Sequence, residues 1–355
     1  LVIELPLFAA CSSAPDFAIG AVSLLHKLGV IDYLSFGSEC QDINKLKQIA
    51  SFLIQYKEEI EHGTKELMSL GHSYPKAKEL YLREHLDDAS LIEVLKQPNN
   101  ILGIEYLKAL KKYKSSIKPV CISRFATDYN STKLSKIENS TSNCNPQNFA
   151  SATAIRELIK NKNFDTIKTV IPLESYLILM NCINSGCIVP DLNCFEKEII
   201  YTLRKMTIEE IADIPDVSEG LEFSIKKAAN SCNNINEFLD IVNSKRYTIT
   251  RLQRILLYAL IGISKEDMQL SKKVEKPYIR VLGFNDNGKK LVSEIATKNP
   301  ELKLITSVKK FVDSNSNKDL QIIFDKDVWA TDVYSLAFEN NSLANLDFKN
   351  GVITF

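Results

Sequence analysis

The chain opens on an apolar run, Leu1-Val2-Ile3, that reads as a buried strand over residues 1–5. Residues 14–28 follow with helical spacing: Phe17, Ala18, Ala21, Val22, Leu24, Leu25 and Leu28 share one face, and Gly29 is placed to end the helix. Residues 30–36 then read as a strand that stops at Gly37-Ser38-Glu39. Strand, helix and strand in succession predict a βαβ unit, a parallel sheet and a right-handed crossover.

From 42 to 95 the pattern is helical and rich in charge, with a break at 71–75. Pro98 biases Gln97 away from helix, and a new helix begins there with Ile101, Leu102, Ile104, Leu107 and Leu110 mostly on one side. A basic segment (Lys108, Lys111, Lys112, Lys114, Lys118) leads into a short strand over 119–123, with Arg124 just past it. Asn, Ser and Thr dominate 127–148, which reads as a loop; Ser151 opens a helix through Lys160. Helices are then expected at 173–184, 193–206, 218–231, 235–244 and 248–261. The β-rich run 278–284, a helix at 289–296 and a strand at 302–306 close the pattern. The expected organisation is an α/β domain over 1–165, a helical domain over 166–270 and a small α/β part over 271–355.

Composition narrows this picture. Forty-four Lys and Arg balance 44 Asp and Glu, so no global field draws the chain to nucleic acid, and any RNA contact needs a local patch. No apolar run reaches the roughly 18 residues of a membrane span, so no membrane partner is expected. Eight cysteines lie without CxxC pairs; Cys182, Cys187 and Cys194 form the closest trio but have no histidine nearby. The expectation is free thiols in a reducing cytoplasm, with no metal site.

Candidate chemistry gathers at the carboxyl ends of the predicted strands, where parallel sheets bind ligands. Gly37 either lets a ligand approach the backbone or makes a tight turn. Asn99 and Asn100 offer amides beside unpaired helix N–H groups, which suits a nucleotide or an ordinary cap. Arg124 either clamps phosphate through paired N–H donors or pairs with Asp128 at the surface. Ser151, Thr153 and Arg156 make either an anion site at a helix start or a simple N-cap with a neighbouring charge. In the helical region Lys226, Lys227, Lys245, Arg246, Arg251 and Arg254 form either an RNA patch, with Tyr247 to stack on a base, or a solvated face. Gly283-Phe284-Asn285-Asp286-Asn287-Gly288 lacks the spacing and the Lys-Ser/Thr end of a phosphate loop.

Leu1–Pro6 (LVIELP), Phe36–Glu39 (FGSE), Pro98–Gly103 (PNNILG), Arg124 with Tyr129, and Ser151–Arg156 (SATAIR) together carry a resemblance. So do Glu219-Gly220-Leu221-Glu222, Lys245-Arg246-Tyr247-Thr248 and the run Tyr278–Phe284. In this order, across nearly the whole chain, they resemble the tRNA(Met) cytidine acetate ligase family of bacteria, a branch of the HIGH-motif nucleotidyltransferase superfamily. The resemblance implies a Rossmann-like parallel sheet, N-terminally incomplete, followed by the helical domain and the small α/β part. It implies activation of acetate by ATP, with Mg2+, as acetyl-adenylate, and acetylation of N4 of the wobble cytidine of elongator tRNA(Met). By family pattern Gly37, Asn99 and Arg124 match ATP-contacting positions, and Ser151, Thr153 and Arg156 match the phosphate-side helix start. Asn100 is then left as the helix cap, and Lys245, Arg246, Arg251 and Arg254 are the candidate tRNA contacts. The family's Glu-Tyr-Asn-Pro-Phe-His-Asn-Gly-His loop, which supplies its histidines, falls before Leu1. These 355 residues by themselves are therefore expected not to form acetyl-adenylate. Two other readings stay open: an inactive tRNA-binding homologue, and a nucleotidyltransferase acting on a small cofactor precursor.

Overall fold

A computed structural model describes residues 1–72, 74–86, 89–124, 135–136, 148–218, 220–243, 247–274, 278–339 and 343–355. Its strands are β1 (Val2–Ile3), β2 (Tyr33–Ser38), β3 (Lys118–Ser123), β4 (Ser135–Lys136), β5 (Asn148–Phe149), β6 (Tyr278–Phe284), β7 (Lys303–Ile305) and β8 (Ile353–Thr354). The chain forms two compact units, each discontinuous in sequence. One comprises Leu1–Ser123, Lys197–Thr331 and Asn345–Phe355; the other comprises Arg124–Glu196 and Asp332–Ala344.

In the first unit β2 and β3 run parallel in register from Tyr33 opposite Lys118 to Ser38 opposite Ser123. Five helices connect them: Ile43–Gln55, Lys57–Ser69, Tyr74–His85, Ala89–Val94 and Pro98–Lys112. Their apolar faces meet Phe36 and Val22 in one core with Leu46, Ile49, Ile104 and Leu107. The Pro98–Lys112 helix lies against β2 because Gly103 has no side chain: a Cβ there would fall 2.6 Å from the Phe36 ring. The Ala14–Leu28 helix ends as expected at Gly29, which takes the left-handed conformation at φ 67°.

The expected βαβ unit from residues 1 to 36 is not what forms. β1 pairs antiparallel with β6, and β7 and β8 pair parallel with β6, while β2 pairs with β3 in a separate two-stranded sheet. The parallel crossover runs instead from β2 through the five helices to β3. β1 has only two paired residues, and the long β-rich run of β6 offers it an edge more than 270 residues away.

That junction carries a buried polar cluster. The Tyr278 hydroxyl donates to Asp327 Oδ2, and the Leu7 N–H donates to Asp327 Oδ1 at 2.8 Å. Arg280 pairs with Asp347 at 2.6 Å and with Glu4 at 3.2 Å, and the Thr331 hydroxyl also donates to Asp347. Burial pushes the Asp327 carboxyl up to about 7.

The helices Leu221–Ser231, Ile235–Val242 and Ile249–Ile261 bury Ile225, Phe238, Leu252 and Leu256, and the helix Lys265–Lys273 follows. Thr248 and Ser264 cap the last two. In the second unit β4 and β5 pair antiparallel, and Leu173–Asn184 is helical as expected. Among the described residues no helix is long and apolar enough to cross a membrane.

Candidate nucleotide site

β2 alternates along its length: Phe36 and Ser38 are buried, while Ser35 and Gly37 are exposed. Gly37 therefore lies inside the strand, opposite Ile122, and makes no turn. It presents bare backbone on the open side of the sheet near the carboxyl end.

Two side chains bind that strand end to the start of the Pro98–Lys112 helix. Gln97 is the N-cap residue and Pro98 occupies the first turn, but no side chain of the helix caps it, and its first turn holds no acidic residue. Glu39 supplies the missing charge from across the fold. Its Oε2 accepts from the Asn100 N–H at 3.0 Å, and its Oε1 accepts from Asn99 Nδ2 at 2.6 Å. A carboxylate on free N–H groups at a helix start is stabilised by the helix dipole.

Asn100 is not the cap that was expected. It is 2% exposed and works as a clamp. Its Oδ1 accepts from the Cys40 N–H at 2.9 Å and faces the Ser38 hydroxyl at 2.5 Å, and its Nδ2 donates to the Val94 carbonyl at 3.1 Å. The cap position falls to Gln97 because Pro98 starts the helix three residues earlier than an Asn100 cap would. Glu39 and Ser38 belong to the Phe-Gly-Ser-Glu motif, yet neither was assigned a role from the sequence. A Glu set sixty residues from an uncapped helix start has no local signature. The clamp brings Gly37 and Asn99 to one end of the first unit, with Asn99 half-buried and oriented by Glu39.

The other candidates lie in the second unit. Arg124 is exposed and follows the last residue of β3. Ser151 is buried and caps the Ala152–Lys160 helix, accepting from the Ala154 N–H at 3.1 Å. Thr153 Oγ1 accepts a long 3.4 Å bond from exposed Arg156. Within that unit Ser151, Thr153 and Arg156 are together on one helix start.

Arg251 and Arg254 share a face as expected, but the structure turns it inward to a neighbouring loop. Arg251 donates to the Asp216 carbonyl at 3.0 and 2.6 Å and to Ser218 at 2.9 Å, and Arg254 pairs with the Asp216 carboxylate at 2.7 Å. The Arg251 guanidinium also sits 5.0 Å from the centre of the Tyr247 ring, the ring read as a base-stacking surface. Lys245 and Arg246 lie outside the described residues.

A model of the HIGH nucleotidyl transferase family matches residues 1–347. The chain is 41% identical over 354 residues to the tRNA(Met) cytidine acetate ligase of Caldanaerobacter subterraneus subsp. tengcongensis, covering 99% of this chain and 83% of that one. It is 36% identical over 361 residues to the tRNA(Met) cytidine acetate ligase of Acetivibrio thermocellus, covering 99% and 84%. Among solved structures, Thermotoga maritima TmcAL in its apo form superposes with a TM-score of 0.89 at 29% identity, over 100% of this chain and 84% of that one. TmcAL bound with alpha-thio ATP gives 0.85 at 28% identity, with the same coverage.

Proposed function

The chain belongs to the HIGH nucleotidyl transferase family, and from that premise we propose that it is an ATP-dependent tRNA(Met) cytidine acetate ligase. The observation that carries this reading is similarity along 99% of the chain to relatives of that name. A neighbour of the same fold is described as bound to an ATP analogue, which supports ATP as the nucleotide.

The proposed reaction has two steps. An acetate oxygen attacks the α-phosphorus of ATP and pyrophosphate leaves, which converts a poor acyl donor into a mixed anhydride. The N4 amine of the wobble cytidine then attacks the acyl carbon, the amine loses a proton and AMP departs. Gly37 leaves room for the nucleotide against the sheet, and Asn99 offers its amide beside it. In the second unit, Arg124 and the helix start at Ser151, Thr153 and Arg156 have the chemistry that meets negative charge on phosphates. Mg2+ enters as the counter-ion of the ATP phosphates. Among the described residues no group of three or more His, Cys, Asp or Glu side chains is placed to hold a metal ion. On the RNA side, Arg251 and Arg254 shape the turn at Asp216 beside the bound tRNA, and Lys245 and Arg246 contribute charge.

The test is acetate-dependent ATP–pyrophosphate exchange by the protein expressed from its intact gene. Exchange that requires acetate supports the reading. Binding of tRNA(Met) with no exchange supports an inactive homologue, and exchange driven by a cofactor precursor in place of acetate supports a different nucleotidyltransferase.

A further inference from the structure

Arg251 and Arg254 are engaged with Asp216, and positive charge gathers at a second place in the first unit. Within the first unit a groove of about 460 Å3 has Lys27, Lys112, Lys272 and Lys273 on its walls, with Asp16 as the one acidic residue among its described lining residues. Asp16 holds Lys272 at 3.1 Å. With Lys272 paired to Asp16, the ammonium groups of exposed Lys112 and Lys273 leave a local positive surplus among the described residues of the groove, on a chain whose net charge is zero.

Three helices bring these lysines together: Ala14–Leu28 supplies Lys27, Pro98–Lys112 ends on Lys112, and Lys265–Lys273 ends on Lys272 and Lys273. All three contribute their lysines from the last turn, where cations also meet the helix's own negative end. Tyr113 lines the same groove. Lys112 Nζ lies 5.8 Å from the centre of its ring, and exposed His26 stacks on it at 6.0 Å with planes 23° apart. Basic groups interleaved with a stacked aromatic platform suit a nucleic-acid backbone and an unpaired base.

We infer that this lysine groove holds the sugar–phosphate backbone of the RNA substrate. The inference rests on the tRNA(Met) reading and assigns that substrate a second contact surface. Lys112 and Asn99 stand near opposite ends of one helix of 15 residues, roughly 20 Å apart at 1.5 Å per residue. The groove therefore contributes to RNA affinity without touching the reacting groups.

The test compares wild-type protein with the Lys112→Ala/Lys273→Ala double variant in binding a tRNA(Met) transcript across a range of salt concentrations. ATP–pyrophosphate exchange and a thermal melt are measured alongside. The variant is expected to bind about tenfold more weakly at low salt, with the slope of log affinity against log salt reduced by about 1 to 2. Its exchange rate and melting temperature are expected to match wild type, and Lys112→Arg/Lys273→Arg to restore binding. Unchanged affinity and slope in the alanine variant overturn the groove and leave the ligase reading standing. Wild-type protein that fails to bind the transcript at low salt overturns both, and binding to phosphatidylglycerol vesicles but not to RNA overturns the groove as an RNA surface.

Discussion

Two adjacent amides divide the work at the head of the Pro98–Lys112 helix. Asn100 is buried with each polar atom bonded, whereas Asn99 is half-buried and held by Glu39. Asn100→Ala is therefore expected to lower stability by about 2 kcal/mol, since it leaves the Cys40 N–H and the Val94 carbonyl without their partner. Asn99→Ala is expected to leave the melting temperature nearly unchanged and to weaken ATP binding about tenfold, measured by calorimetric titration. Equal losses of stability in both variants would remove Asn99 from the nucleotide site. At Asp216 the backbone is left-handed (φ 67°) in a residue with a side chain, and Arg251 and Arg254 pin it from two sides. Arg254→Ala is expected to cost about 1 to 2 kcal/mol in urea unfolding. A loss of tRNA affinity in that variant counts as a direct contact only if stability is retained. That Arg251 and Arg254 share a face could be read from their spacing; that the face is occupied could not, because Asp216 lies 35 and 38 residues earlier and no periodicity links it to them.

At the scale of elements, Gly103 sets how closely the Pro98–Lys112 helix approaches β2. Gly103→Ala places a methyl group into the Phe36 ring and is expected to destabilise by about 1 to 3 kcal/mol. The shift would also move the Asn99 end of the helix away from Gly37, so nucleotide affinity should fall together with stability. The helices and the strands β2 and β3 were readable, though not their pairing with each other, because amphipathic spacing, capping residues and short apolar runs are local signals. The Leu173–Asn184 helix and the stop at Gly29 are examples. The partner of β1 was not readable, since Val2 and Ile3 carry no mark of the strand they join, and sequence adjacency favoured β2. The same limit hid Glu39, whose role depends on a helix start that only the fold brings within 3.0 Å.

For the molecule as a whole, the first unit is closed by joining the two ends of the chain through β1, β6 and the cluster around Asp327. A carboxyl whose folded pKa of about 7 exceeds its unfolded value favours folding most while both states are protonated. That contribution is fully present below about pH 4 and is lost as pH rises through about 7. Asp327→Asn retains an acceptor for the Leu7 N–H and a donor for the Tyr278 oxygen, and removes the ionisation. The variant is expected to gain stability over wild type between pH 5 and 8 in urea unfolding, with no gain near pH 4; a difference that does not change with pH would show that Asp327 does not titrate there.

The ligase reading as a whole is tested most directly by its product. Protein expressed from the intact gene is incubated with ATP, acetate and unmodified elongator tRNA(Met), and the tRNA is digested and analysed by mass spectrometry. The account predicts N4-acetylcytidine at the wobble position, formed only when ATP and acetate are both present and accompanied by AMP and pyrophosphate. Unmodified wobble cytidine from protein that is folded and binds both ATP and the tRNA would contradict it.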